Sequence, residues 1–136
     1  MKWMLAFEEP ETQTLWLAKA TPRDWLAVGE DPLMASQLAT RYGRVAFEMH
    51  AEATAGYSVE ANVTLPASFA SNPPPGGIKV RVRAPVQHAG KMTGVTVGGA
   101  KWAAFNAAEE TIEIAAGKID AKLIATGLPA IVVTFA

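Results

Sequence analysis

Apolar and polar residues alternate along two neighbouring stretches of the chain. Residues 57–65 are apolar at every odd position and polar at every even position, and residues 44–54 follow nearly the same rule. A period of two is typical of a β-strand that buries one face. The Ala55-Gly56 pair between the two stretches suits a tight turn. We therefore predict that the two stretches form a β-hairpin.

Further apolar runs, separated by turn signals, extend this pattern along the chain. Residues 78–84 alternate between apolar and basic side chains. Residues 72–77 read Asn-Pro-Pro-Pro-Gly-Gly and predict a stiff loop, and the Gly98-Gly99 pair predicts a two-residue hairpin turn. Shorter runs predict additional strands at residues 2–7, 14–18, 95–97, 111–114, 119–124 and 131–135.

About seven to nine short strands, with turns roughly every 8–12 residues, predict an all-β fold, an antiparallel β-sandwich. Helix signals are limited to residues 21–26 and 103–110, so we expect at most one or two short helical turns. Outside the first of these turns, the stretch 21–43 is predicted to be irregular. The length of 136 residues suits a single domain over residues 1–136. The predicted core consists of Val45, Phe47, Met49, Val59, Ala61, Val63, Ile78, Val80, Val82, Ile112, Ile114, Ile131, Val133 and Phe135.

Composition narrows the classes of function. Hydrophobic residues make up 50% of the chain and charged residues 18%, which is enough apolar surface for a real core. Twelve basic and thirteen acidic residues give a net charge of −1, so we expect neither a nucleic-acid nor a membrane-surface partner. Cysteine is absent, which excludes disulfides, thiol catalysis and thiolate metal sites. His50 and His88 lie far apart and are predicted to be surface residues, so we expect no metal and no other cofactor.

The first residues do not predict export or membrane insertion. Residues 1–7 carry one positive charge and a short apolar run, which ends at Glu8 and Glu9. A signal peptide needs a longer apolar stretch, and a membrane helix needs about 18 apolar residues in a row. The sequence therefore predicts no signal peptide and no transmembrane segment, and it leaves the compartment open.

No pair of acidic residues predicts glycosidase chemistry, which needs two carboxylates about 5–9.5 Å apart on either side of one bond. Glu48 and Glu52 share one strand face but lie about 13 Å apart along it. Glu48 and Glu60 could pair across the predicted hairpin, although glutamates on a polar strand face are usually solvated. Glu109 and Glu110 adjoin a predicted turn and are expected to face solvent. We therefore predict no catalytic residue in this chain.

The aromatic residues offer the best candidates for ligand contact. Trp16 and Trp102 are predicted to anchor the core. Trp25 and Tyr42 fall in the irregular stretch 21–43, where loops are free to shape a site. Sugars stack on such rings, and neighbouring arginine and aspartate side chains bind hydroxyl groups. The alternative is that both rings clamp this connection onto the end of the sandwich. The candidate ligand-binding residues are Arg23, Asp24, Trp25, Arg41 and Tyr42.

Three short motifs carry a resemblance to a known family. They are LWLAKATPRDWL at residues 15–26, ATRYGRVAF at residues 39–47 and GVTVGGAKWAAFN at residues 94–106, the last followed by the run at 111–114. In order and spacing, over about residues 13–135, they resemble the C-terminal β-sandwich domain of bacterial glycoside hydrolases whose catalytic part is an α/α barrel. The chain departs from that pattern at Gly98, where asparagine is frequent, and at Asn106, where aspartate is frequent.

The resemblance implies a β-sandwich without catalytic acids of its own, because the acids of such enzymes lie in the barrel. The expected function is that of a non-catalytic accessory domain, which packs on an α/α-barrel catalytic domain and contributes to the edge of its sugar site. Two alternatives stay open. One is an autonomous carbohydrate-binding module, and the other is a structural β-sandwich that forms a homo-oligomer.

Overall fold

The structure is a computed structural model that describes residues 6–18, 26, 33–52, 56–66, 68–97, 100–115 and 131–135. In chain order the strands are β1 (Ala6–Glu9), β2 (Thr14–Leu17), β3 (Leu33–Thr40), β4 (Gly43–Glu52), β5 (Ser58–Thr64), β6 (Ile78–Arg81), β7 (Met92–Val97), β8 (Ala100–Lys101), β9 (Phe105–Asn106), β10 (Thr111–Ile114) and β11 (Ile131–Phe135). Helical structure in these ranges comprises α1 (Ser68–Ser71), a 3-10 turn at Val86–His88 and an isolated 3-10 position at Leu26. None of these helices is long enough to cross a bilayer.

The strands form two sheets around one hydrophobic core. A five-stranded sheet has the order β1-β2-β6-β10-β9, and a six-stranded sheet has the order β3-β4-β5-β11-β7-β8. Neighbouring strands run antiparallel, except that β2 and β6 are parallel. This arrangement confirms the predicted all-β sandwich. The described residues form eleven strands rather than the predicted seven to nine, because some strands are only two residues long, and one pair is parallel, which the sequence pattern did not predict.

Both predicted hairpins are present in the pairing register. β4 pairs with β5 from Ala46 opposite Thr64 to Glu52 opposite Ser58. β7 pairs with β8 so that Val97 lies opposite Ala100, as a two-residue connection requires. The predicted loop at residues 72–77 is also present.

Alternation along the strands decides which side chains enter the core. Every predicted core position is buried, from Val45 on β4 to Phe135 on β11. On β4, β5 and β11 the intervening residues form the outer face of the six-stranded sheet. Since successive strand residues point to opposite faces, the same pattern that builds the core also places a second set of side chains together outside it.

β3 corrects the prediction that residues 21–43 are irregular. Leu33, Ala35 and Leu38 lie opposite Met49, Phe47 and Val45 in turn. These partners on β4 are two residues apart in each case. On β3 the step from Ala35 to Leu38 is three residues, so β3 has one extra residue there. This is a β-bulge, which hides a strand from any test for a period of two.

The helix predictions need further correction. Residues 103–110 form β9 and a turn rather than a helix, whereas α1 and the 3-10 turn at Val86–His88 were not predicted. The predicted strand at 119–124 lies outside the described residues, and so does the predicted helical turn at 21–26 apart from Leu26.

Candidate functional site

The structure describes two of the five candidate ligand-binding residues, Arg41 and Tyr42. Arg23, Asp24 and Trp25 lie outside the described residues. Arg41 and Tyr42 connect β3 to β4. The Arg41 side chain is exposed, its backbone N–H donates to Glu8 Oε1 at 2.9 Å, and its Nε lies 3.8 Å from the same oxygen.

Tyr42 is buried against the end of the sandwich. Only 9% of the residue is exposed, and its ring centroid lies 6.2 Å from that of Phe69 in α1. Its carbonyl oxygen accepts a hydrogen bond from Ser68 Oγ at 2.9 Å. These contacts correspond to the clamp alternative for Tyr42, because a ring packed in this way does not offer a face to a sugar.

Trp16 is not the core anchor that the sequence predicted. Leu15 and Leu17 point into the core, so alternation places Trp16 on the outer face of the five-stranded sheet, where it is half-buried. Its Nε1 donates to Glu9 Oε2 at 3.2 Å, and Lys79 Nζ lies 4.9 Å from the ring centroid. The lysine already occupies one face of the indole as a cation–π partner.

Trp102 is also only half-buried, and it forms a wall of an apolar groove. The groove has a volume of about 410 Å³ and lies on the outer face of β7, β8 and β11. Trp102 Nε1 donates to the carbonyl oxygen of Glu113 at 3.0 Å, which fixes the orientation of the indole. Phe105 and Val132 supply further apolar surface.

Hydroxyl groups and one ammonium group supply the polar part of this groove. Thr93 and Thr134 face each other across β7 and β11, with their hydroxyl oxygens 3.1 Å apart. Thr96 and Lys101 also line the groove. Gly94 has no side chain and therefore leaves space at the bottom of the groove. A Cβ at that position would lie 3.3 Å from Thr134 Oγ1.

This combination suits the binding of a small ligand. Small-molecule sites have volumes of about 300–1,000 Å³ and combine apolar walls with a few polar groups. Lys101 is the one charged side chain among the groove-lining residues, so the groove contains neither an acid–base pair nor a nucleophile with a partner base. Sequence reasoning missed the groove because its walls come from strands far apart in the chain.

The acidic residues of β4 and β5 are arranged differently from the pairing that the sequence allowed. Glu48 lies opposite Asn62, and it is His50 that lies opposite Glu60. Glu52 and Glu60 place carboxylate oxygens within 4.8 Å of each other and of the His50 ring nitrogen. Both carboxylates thus flank one imidazole on an open sheet face, whereas a glycosidase needs them on either side of a bound sugar.

A buried carboxylate corrects another prediction. Glu109 is exposed as expected, but Glu110 is only 1% exposed. Its Oε2 accepts a hydrogen bond from Ala84 N at 3.1 Å, and its backbone oxygen accepts one from Val82 N at 2.8 Å. Glu110 therefore connects the segment that follows β6 to the turn before β10 through two hydrogen bonds.

Tyr57 lies at the same end of the sandwich. Its ring stacks on His88 with centroids 4.4 Å apart and meets the edge of Phe135 at 5.4 Å. Its hydroxyl donates to the backbone oxygen of Leu26. Burial, with a smaller contribution from the negative charge of Glu110, raises the pKa of Tyr57 well above its ordinary value.

The raised pKa of Tyr57 predicts a loss of stability in alkali. The folded protein disfavours tyrosinate, so the stability that the neutral Tyr57 side chain contributes is fully present below the unfolded pKa of about 10. As pH rises beyond it, the free energy of unfolding should fall by about 1.4 kcal/mol per pH unit, until the folded pKa is reached. Urea melts at a series of alkaline pH values should show this slope in the wild type and a smaller one in Tyr57→Phe. Equal slopes would contradict the assignment to Tyr57.

We compared the chain with protein-family models, with curated protein sequences and with solved structures, and none of the three comparisons gave a match.

Proposed function

We propose that this chain is a non-catalytic β-sandwich module that binds carbohydrate in the groove beside Trp102. The observation that carries the proposal is the half-buried indole, fixed by its hydrogen bond to the Glu113 carbonyl oxygen in the wall of a groove of about 410 Å³. A sugar has apolar C–H faces and a rim of hydroxyl groups. Trp102 and Val132 match the faces, and the threonine hydroxyl groups and Lys101 match the rim.

Two further points support this proposal. The all-β sandwich agrees with the fold that the family resemblance implies, and the segment at residues 94–106 that carries part of the resemblance also supplies much of the groove. A glycoside hydrolase accessory domain that contacts sugar would need such a surface on its sheet. The proposal places the sugar on the sheet face rather than in the 21–43 stretch that the sequence favoured.

The titration of soluble oligosaccharides tests this function. Wild-type protein should bind a neutral or anionic oligosaccharide from a glycan panel. Trp102→Ala should weaken that binding by at least about tenfold, or 1.4 kcal/mol. Gly94→Val should act in the same way by filling the floor of the groove, and it retains Trp102. The measurements are isothermal titration and a thermal melt of each variant.

Trp16→Ala is the matched control, because Trp16 is also half-buried on an outer sheet face but belongs to the other sheet. It should leave sugar binding unchanged. The proposal is wrong if the wild type binds no member of the panel, or if Trp16→Ala removes binding while Trp102→Ala and Gly94→Val retain it.

Docking on an α/α-barrel catalytic domain is a second candidate function. Met34 and Val86 are 67% and 79% exposed, and Met34 borders a depression of about 230 Å³ that also contains Ala46 and Thr64. Val86 is not part of this depression, so a partner domain would cover Met34 and the apolar part of the depression. A reading frame that continues upstream into a helical barrel would support this candidate, and a frame that begins independently would contradict it.

The described sheet edges favour both candidates over a homo-oligomer built by strand addition. β3 is the longest edge strand, and its bulge between Ala35 and Leu38 interrupts the row of backbone groups that a second copy would pair with. The other edge strands, β1, β8 and β9, have four residues or fewer.

A further inference from the structure

We propose that His50, Glu52 and Glu60 form a binding site for a divalent transition-metal ion of the Zn²⁺ type. The site lies on the outer face of the six-stranded sheet, across the β4–β5 hairpin. It shares no residue with the groove of the proposed carbohydrate function, although Glu60 lies opposite the groove residue Val132 on the neighbouring strand.

The hairpin brings the three side chains together. His50 and Glu52 are two residues apart on β4, so they point to the same face, and Glu60 lies directly opposite His50 on β5. Cross-strand neighbours of this kind have Cβ atoms about 4.5–5.5 Å apart. Since both strands are fully paired through this region, the backbone positions of all three ligands are set by the sheet itself.

The distances between the ligand atoms fit a shared ion. His50 Nε2 lies 3.2 Å from Glu52 Oε1 and 3.8 Å from Glu60 Oε2, and all three atoms lie within 4.8 Å of one another. Bonds of about 2.0–2.2 Å to zinc in tetrahedral geometry separate neighbouring ligand atoms by roughly 3.4 Å. Rotation of the two flexible glutamate side chains, by up to about 0.7 Å at each carboxylate oxygen, would therefore complete the coordination.

The donor set selects the class of metal. A neutral imidazole is a ligand for Zn²⁺ and similar transition metals, whereas Ca²⁺ and Mg²⁺ take oxygen ligands. Three protein ligands leave a fourth position for water, and this position faces solvent because the side chain of Glu52 is exposed and those of His50 and Glu60 are only partly buried. A divalent cation would also offset the repulsion between two carboxylates that converge on one imidazole.

Titration of the full chain with ZnCl₂ tests the site. We expect one Zn²⁺ per chain by isothermal titration, with a rise in melting temperature. Each of His50→Asn, Glu52→Gln and Glu60→Gln should weaken binding by at least about tenfold. Co²⁺ in place of Zn²⁺ should give the visible absorption of a low-coordinate site. A tenfold excess of Mg²⁺ or Ca²⁺ should not displace the Zn²⁺.

Glu113→Gln and His88→Asn are the controls. Glu113 is a partly exposed glutamate on the outer face of the five-stranded sheet, and His88 is the second histidine of the chain. Both variants should bind Zn²⁺ as the wild type does. Binding that survives in the Glu52→Gln/Glu60→Gln double variant, or that is lost in His88→Asn alone, would overturn the proposal, and so would a wild type that binds no Zn²⁺.

Discussion

Replacing Phe47 with alanine is expected to lower the free energy of unfolding by about 3–5 kcal/mol, the range for a fully buried phenylalanine. Phe47 lies near the middle of β4, is 3% exposed, and is paired through the backbone with Ala35 on one side and Val63 on the other. The substitution removes the apolar contacts of the ring and leaves a cavity between two sheets that cannot easily collapse.

Urea melts followed by tryptophan fluorescence and circular dichroism measure this loss. Glu48→Ala is the control, because Glu48 is the next residue of the same strand and points to the outer face. It should change stability by no more than about 0.5 kcal/mol. A loss below about 1 kcal/mol for Phe47→Ala would show that the inward face of β4 is assigned wrongly.

The same alternation explains why much of the fold can be predicted from the sequence. On β4, β5 and β11 one face is core and the other is largely accessible to solvent, so hydrophobicity alone identifies the strand and its orientation. The bulge in β3 breaks the period of two, so the alternation does not identify this strand, although Leu33, Ala35 and Leu38 pack against the core. β8 and β9 have two residues each, which is too short for any period to be recognised.

The sites were harder to predict because they depend on register and on contacts between distant strands. His50 and Glu52 are visible in the sequence as neighbours on a polar face. A two-residue turn at Ala55-Gly56 would place position 61 opposite position 50, whereas the observed register places Glu60 there, so the third residue of the proposed metal cluster was known only from the structure. By contrast, nothing local connects Trp102 with Gly94 and Val132, since the groove exists only once β11 has paired with β7.

Glu110 shows a different limit of prediction from sequence. A glutamate beside a turn is normally solvated, so pattern and composition both favour exposure. Its backbone instead adopts a left-handed conformation, with φ of 60°. Its carboxylate then reaches the buried N–H of Ala84. A single unusual backbone angle thus turns a surface residue type into an internal hydrogen-bond acceptor.

Replacing Glu110 with alanine is therefore expected to lower the free energy of unfolding by about 2–4 kcal/mol, because a buried N–H loses its acceptor and a cavity replaces the side chain. The hydrogen bond from Val82 N to the backbone oxygen of residue 110 does not depend on the side chain, so the loss can be assigned to the carboxylate. Glu110→Gln keeps one side-chain oxygen and should recover part of the loss. Alanine at the same left-handed φ carries the same backbone strain as glutamate, so strain does not enter the comparison.

Glu109→Ala provides the matched control for Glu110→Ala. The two residues are neighbours of identical chemistry, yet Glu109 is exposed, and its contacts to Asn106 and Arg81 use backbone atoms that alanine retains. Guanidinium chloride melts should place Glu109→Ala within about 0.5 kcal/mol of the wild type. Equal losses for the two alanine variants would contradict the role given to the Glu110 carboxylate. A large loss for Glu110→Ala alone would establish that this carboxylate holds the segment after β6 to the turn before β10.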